Sequence, residues 1–200
     1  MEAHTGIIVK TTRYNDVASI VHLFSEELGI IAVYVSHSSA KKGGGEALIT
    51  PLNEVEITLN RKNGSLWQSK DCRLSYGFLG LRNSLSTLQG SVSLLNAIVN
   101  SQPEERPAPV LYALLKDYLR RLERGEPAWK IVSSFQLKLL RFEGIWSDEL
   151  PDEVPFSPEE WLTCVHLAYC RTHSELQAVT TEFPDELAQK IDRLFVCRIE

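Results

Sequence analysis

No two cysteines in this chain stand in a C-x-x-C pair. The four, Cys72, Cys164, Cys170 and Cys197, therefore outline neither a disulfide framework nor a zinc ribbon, and free thiols in a reducing compartment are expected. No apolar run approaches 18 residues and the N-terminus has no basic-then-apolar pattern. A membrane span and a secretion signal are thus not expected, and the cytoplasm is the default. Gly43-Gly44-Gly45-Glu46 is not followed by the Lys-Ser/Thr of a phosphate-binding loop, and there is no GxSxG or HExxH. ATP hydrolysis, serine hydrolase chemistry and zinc proteolysis have no support, and neither an enzyme nor a bound cofactor is expected. Positive charge is also short. The net charge is −5: residues 1–80 hold eight Lys/Arg against eight Asp/Glu, and residues 81–200 hold thirteen against eighteen. Binding to nucleic acid by bulk charge is excluded. A nucleic-acid site must be a local patch on the N-terminal part, salt-sensitive, because the acidic second part repels phosphate.

What is present begins with β-branched and aliphatic runs at 6–12, 17–24 and 29–35, divided by polar residues. Such runs predict strands. A glycine-rich basic loop, 36–46, leads to a fourth run at 54–59, where Val55, Ile57 and Leu59 alternate with Glu54, Glu56 and Thr58. Asn63-Gly64 suits a tight hairpin turn, and 65–74 returns as a fifth strand. Five strands in so short a span predict a small closed barrel, whose common soluble form is the OB-fold.

From Ser84 the period changes to three and four. Leu85, Leu88, Val92, Leu95 and Val99 mark a first helix; three prolines at 103–109 break it. A second starts near Pro109 and stops at Gly125, a third opens with Pro127 at its first turn and stops at Gly144. After an acidic, proline-rich loop, Ser157-Pro158-Glu159-Glu160 forms a capping box for a helix running to about Arg171. A last helix starts at Pro184. The expected organisation is α+β: an N-terminal five-stranded OB-fold barrel over residues 1–80, followed by an all-helical C-terminal domain of about five helices over 81–200.

Three segments carry a family resemblance. They are Gly6-Ile7-Ile8-Val9-Lys10-Thr11, then Val21-His22-Leu23-Phe24-Ser25-Glu26-Glu27-Leu28-Gly29, then Ala47-Leu48-Ile49-Thr50-Pro51-Leu52. Their order and spacing resemble the N-terminal domain of RecO, a bacterial recombination-mediator family. The likeness extends through Leu81-Arg82 to Phe135-Gln136-Leu137-Lys138-Leu139-Leu140. It implies a protein of DNA repair and recombination, in the cytoplasm and associated with the nucleoid. Such a protein binds single-stranded DNA, works with a RecR-type partner, docks the tail of the single-stranded-DNA-binding protein, and helps load RecA recombinase or anneal strands. Beyond Ile145 the chain departs from the pattern: many members carry a four-cysteine zinc ribbon there, and here it is reduced or absent.

The candidate DNA-binding residues are Lys41 and Lys42 of the basic loop, framed by Lys10, Arg13, Arg61, Lys62, Lys70 and Arg73. Lysines on a flexible loop can follow an irregular phosphate path, and the glycines after them permit close backbone approach. The other reading is a solvated hairpin loop. Tyr14, Tyr34 and Trp67 offer faces for base stacking or belong to the barrel core, with Tyr14 expected to be the exposed one. In the helical half, Lys130, Lys138 and Arg141 around Phe135 are the candidate rim for an acidic peptide tail, which the resemblance implies; otherwise they are solvent-side cations of an amphipathic helix. His166, Cys170 and His173 fall at i, i+4 and i+7, so one helical face could carry three metal-type ligands, with Cys164 nearby. The spacing lacks the paired ligands of a zinc site, and no metal is expected. The alternative function is a degenerate OB-fold adaptor that keeps protein contacts without binding DNA.

Overall fold

The computed structural model describes residues 2–37, 45–61 and 66–199. All five expected strands form: β1 (Glu2–Asn15), β2 (Ala18–Ser25), β3 (Gly29–Ser36), β4 (Glu54–Asn60) and β5 (Trp67–Tyr76). They close in the order β1-β2-β3-β5-β4, the OB-fold order. Neighbours are antiparallel except β3 and β5, which meet in parallel at Val33 opposite Trp67 and Tyr34 opposite Gln68.

The period-2 pattern fixes what points inward. Ile8, Val21, Leu23, Ile31, Val33, Val35, Val55, Ile57, Leu59 and Cys72 fill the barrel, each aliphatic side chain contributing roughly 1.5–3 kcal/mol on full burial. Leu48 and Ile49 join them from a short 3-10 turn, Gly45–Ile49. That turn is tied down by the Asn53 side-chain amide, which donates to the carbonyls of Ala47 and Leu48 at 2.9 and 3.0 Å. Burial, with Asp71 beside it, pushes the Cys72 thiol up to about 12.

β1 starts earlier than its apolar run because residues 2–5 pair with β4, Glu2 opposite Leu59 through Thr5 opposite Glu56. Cross-strand pairing, not hydrophobicity, recruits them. Four residues have no opposite number, Val9 and Tyr14 in β1 and Lys70 and Ser75 in β5. Each such bulge reverses the in–out phase of the strand beyond it.

The chain forms two compact units, Met1–Leu79 with Gln102–Lys116, and Gly80–Ser101 with Asp117–Glu200. In the first, the segment Gln102–Lys116 lies on the outside of the barrel. Phe24 meets Tyr112 edge-on at 5.8 Å, and Glu54, only 3% exposed, accepts from the Tyr112 hydroxyl at 2.9 Å and from the Lys116 ammonium. Alternation alone would have put Glu54 in water.

Among the described residues six α-helices form: α1 (Leu85–Ser101), α2 (Pro109–Glu123), α3 (Ala128–Phe142), α4 (Pro158–Tyr169), α5 (His173–Ala178) and α6 (Pro184–Ile199). α2 is divided between the two units after Lys116. α3 is the centre of the second unit: Lys130, Ile131, Ser133, Ser134, Phe135, Gln136, Leu137, Leu139 and Leu140 are all buried, as in a helix packed on every side. Two sequence expectations shift. Pro127 is the N-cap of α3, not its first helical residue. α1 buries Gly90, Ser91, Leu94, Leu95, Ala97 and Ile98, while Leu85 and Val92 face out. Small residues set that face; a Cβ on Gly90 would stand 3.2 Å from the Ala128 Cβ.

The Ser157 capping box is complete, and a second one, Thr172 with Glu175, opens α5. Partial burial pushes the Glu160 carboxyl up, but hydrogen bonds from Lys190 (2.6 and 2.8 Å) and the Ser157 N–H (2.7 Å) outweigh it and the net shift is downward. The backbone N–H groups of Arg171 (2.6 Å) and Thr172 (3.2 Å) lower Glu175 likewise. A lowered folded-state value means stability that is present above the ordinary glutamate pKa of about 4.3 and lost as pH falls through the folded value. Far-UV circular dichroism from pH 7 to 3 should therefore show partial helix loss on the acid side. Glu160→Gln should flatten that slope and reduce neutral-pH stability by about 1 kcal/mol, the scale of one cap; an unchanged acid limb would remove Glu160 from the account.

Candidate nucleic-acid interface

Gln102–Lys116 lies against one end of the barrel's outer surface; beyond it runs the outer β1–β2–β3 face. Its outward positions are Lys10, Thr12, Ile20, His22, Ala32 and Tyr34, all exposed or half-buried. The register places Lys10 opposite His22 and His22 opposite Ala32, then Thr12 opposite Ile20, Tyr34 and Gln68 in turn. Tyr14, in phase with Lys10 and Thr12, puts its ring on the same face, where it meets Tyr34 edge-on at 6.0 Å. Tyr14 is 66% exposed, so a ring face remains open to a planar ligand. A cation, an imidazole and two aromatic rings thus share one surface.

The other expected DNA-binding residues are spread around the barrel. Arg13 is paired with Asp16 at 3.0 Å, beside a cleft of about 280 Å³ lined by Thr11, Arg13, Ser19, Glu46, Ile49, Thr50 and Pro51. Arg73 is paired with Asp71 at 3.1 Å and stands opposite Glu56, on the β4–β5 side. Exposed pairs of this kind are weak, in the range of about 0–1 kcal/mol, and exchangeable for phosphate. Lys10 is exposed on β1, and Lys70 is exposed at its bulge. Neither makes an ion pair among the described residues. Arg61 lies over the Trp67 ring at 5.0 Å and is paired with Glu105 at 2.9 Å. Trp67 itself packs against the barrel core. Lys41, Lys42 and Lys62 lie outside the described residues.

Two residues of this surface escape sequence reasoning. His22 shares the outward phase of β2 with Ile20, which alternation could have revealed; its Nδ1 is buried without a hydrogen-bond partner among the described residues. Glu105 sits between the prolines at 103 and 107, and no local signal marks it.

In the helical unit, the candidate rim residues do more than face solvent. Lys130 donates to the Gln177 carbonyl (2.9 Å), Lys138 to Cys170 (2.5 Å), Arg141 to Ala168 (2.8 Å), and Ser134 to Leu167 (2.8 Å). The last carbonyls of a helix have no partner within it, and cations near that negative pole are favourable. α3 thus caps α4 and α5 from the side. Arg141 also lies 3.8 Å from the Tyr169 ring centroid. Next to these groups is a largely apolar cleft of about 500 Å³ lined by His166, Tyr169, Cys170, Glu175, Ala178 and Val179. Phe135 is wholly buried, tilted on Tyr118 at 5.6 Å, and supports this region from within.

The continuous helix that would give His166, Cys170 and His173 one shared face does not exist. α4 ends at Tyr169, Cys170 is its cap, and His173 begins α5 and pairs with Glu126 at 2.9 Å. Among the described residues, no group of three or more His, Cys, Asp or Glu is arranged to hold a metal ion. No helix among them is long and apolar enough to cross a membrane.

A closed five-stranded barrel in this strand order, with an outer face of exposed or half-buried aromatic and basic side chains, defines an OB-fold protein with an appended helical unit. Residues 1–78 match the family described as Recombination protein O N terminal. The chain is 21% identical over 192 residues to the DNA repair protein RecO of Chlamydia pneumoniae, covering 91% of this chain and 73% of that one. It is 22% identical over 218 residues to the protein of the same name from Chlamydia muridarum, covering 95% and 92%. A 60-residue stretch is 48% identical to the one from Porphyromonas gingivalis, 28% of this chain and 24% of that one. The N-terminal part of the chain is thus similar to the N-terminal domain of the RecO family.

Proposed function

We propose that this protein acts in DNA repair as a RecO-type recombination mediator. The observation that carries the reading is the match of residues 1–78 to the family's N-terminal domain, on a barrel whose β1–β2–β3 face bears exposed or half-buried aromatic and basic side chains. Single-stranded DNA lies along that face, with Lys41 and Lys42 among its contacts. Tyr14 and Tyr34 contribute ring contacts, while Lys10, Arg13, Arg61, Lys62, Lys70 and Arg73 supply charge. With a RecR-type partner, the protein helps load RecA recombinase onto coated strands and anneals complementary ones. The cleft beside Tyr169, with Arg141 and Lys138 next to it, receives the acidic tail of the single-stranded-DNA-binding protein. Its lining is apolar, and an arginine fork suits a carboxylate. The protein works in the cytoplasm without a catalytic step of its own.

The pairing of Arg13, Arg61 and Arg73 with carboxylates favours a second reading, an adaptor that makes only protein contacts. A titration of labelled single-stranded oligonucleotide at low and near-physiological salt separates the two. For a mediator, binding weakens steeply with salt. Lys41→Glu with Lys42→Glu lowers low-salt affinity on the order of tenfold or more and flattens the salt slope by about 0.7 per phosphate lost. An adaptor is indifferent to the reversal, and absence of binding at the lowest salt would rule out the mediator reading.

A further inference from the structure

Glu105 is held in an unusual place. Its backbone is in the left-handed region, at φ +57, which a residue with a side chain seldom adopts. It is kept there by its own N–H, which donates to the Ile30 carbonyl at 2.8 Å, and by the bridge between Glu104 and Ile30. The result is a carboxylate aimed at the β3–β5 seam of the barrel. Arg61 meets it with two nitrogens, Nη2 at 2.9 Å from Oε1 and Nη1 at 3.3 Å from Oε2. The Trp67 indole N–H donates to Oε1 at 3.3 Å, and the guanidinium lies over the Trp67 ring.

Three donors converging on a pair of anionic oxygens is also how a phosphodiester is held. The arginine fork accepts either anion with the same geometry. Arginine stacked on an aromatic ring is a recurrent element of single-strand binding surfaces. Arg61 and Glu105 are 40% and 43% exposed, so water and a polyanion both reach the pair, and exposed pairs exchange readily.

We propose that Glu105 is a built-in competitor for nucleic-acid phosphate at a binding station formed by Arg61 and Trp67. The carboxylate occupies the station when no strand is bound, and a backbone phosphate of single-stranded nucleic acid displaces it. The proposal rests on the single-strand reading of the barrel. Its consequence is an affinity held below what the barrel's cations would give, and a salt dependence short by one phosphate.

The test is a double-mutant cycle on the full chain, read by titration of a labelled oligothymidylate at several salt concentrations. Glu105→Gln is expected to bind about five- to tenfold more tightly at low salt, with a salt slope steeper by about 0.7, one phosphate's worth on a single strand. In an Arg61→Gln background the same substitution should change neither quantity. An equal gain in that background would overturn the proposal, since it would reflect only the loss of a negative charge. Wild-type binding with no gain in Glu105→Gln would also overturn it while leaving the single-strand reading intact. Binding by Glu105→Gln alone would support it. Failure of both proteins to bind at the lowest salt would overturn the single-strand reading and this inference with it.

Discussion

Gly29→Ala is expected to destabilise the barrel unit by about 3 kcal/mol or more, from strain and overlap together. Gly29 begins β3 at φ +68, a conformation that carries a penalty for any L side chain. A Cβ built there would also overlap the carbonyl oxygen of Arg106 and stand 2.6 Å from its carbon. Neither neighbour yields easily. Ile30 is bridged to Glu104 and accepts from the Glu105 N–H, so the backbone on both sides is pinned. Gly125→Ala is the control: its φ is +86 but nothing lies within 4 Å of the new Cβ, and its cost should be about 1 kcal/mol. Denaturant melts of the two variants separate clash from strain. Equal midpoints would show that the approach of Arg106 to β3 carries no energetic weight.

The second large effect is expected at Lys116. Its ammonium meets a Glu54 side chain that is 4% exposed, with the Tyr112 hydroxyl on the same oxygen. Lys116→Ala leaves that carboxylate with one neutral donor and no counter-charge, and breaking one side of a buried pair typically costs about 3–5 kcal/mol. Tyr112→Phe removes only the neutral donor and should cost about 1–2 kcal/mol. Replacing the pair together, Glu54→Leu with Lys116→Met, should restore most of the loss, because buried pairs gain little over a well-packed apolar substitute. A double variant as unstable as Lys116→Ala would show instead that attraction within the pair exceeds its desolvation cost.

The barrel was legible because its interior is written in period two. Val55, Ile57 and Leu59 read as one face and occupy one face. What could not be read were residues whose environment is supplied by distant chain. Glu54 alternates as a solvent residue and is buried by α2, nearly sixty positions later. Glu105 carries no pattern at all until the fold brings it to Arg61. Tyr14 reads as exposed from its turn-like neighbours, and its edge-on contact with Tyr34 depends on a strand pairing that has no mark in sequence. In the helical unit, Lys130, Lys138 and Arg141 read as charges on one helix. Their capping of α4 and α5 needs the knowledge of where those helices end. α5 itself is invisible to periodicity though Thr172 and Glu175 spell a capping box, because six residues are too few to show a period. The site on the barrel was partly visible for the same reasons: residue types were readable, and pairings were not.

Among the described residues the seam between β3 and β5 is zipped by two residue pairs, and the start of β3 is joined by the bridge from Glu104 to Ile30. That side of β3 is therefore already spoken for. A partner cannot lengthen the sheet by laying a strand against β3, the route by which many modules recognise extended peptides. Recognition at this surface must go through side chains, which can be exchanged singly without disturbing the hydrogen-bonded frame. Charge and ligand preference on this surface can thus change by substitution over a barrel whose backbone stays the same.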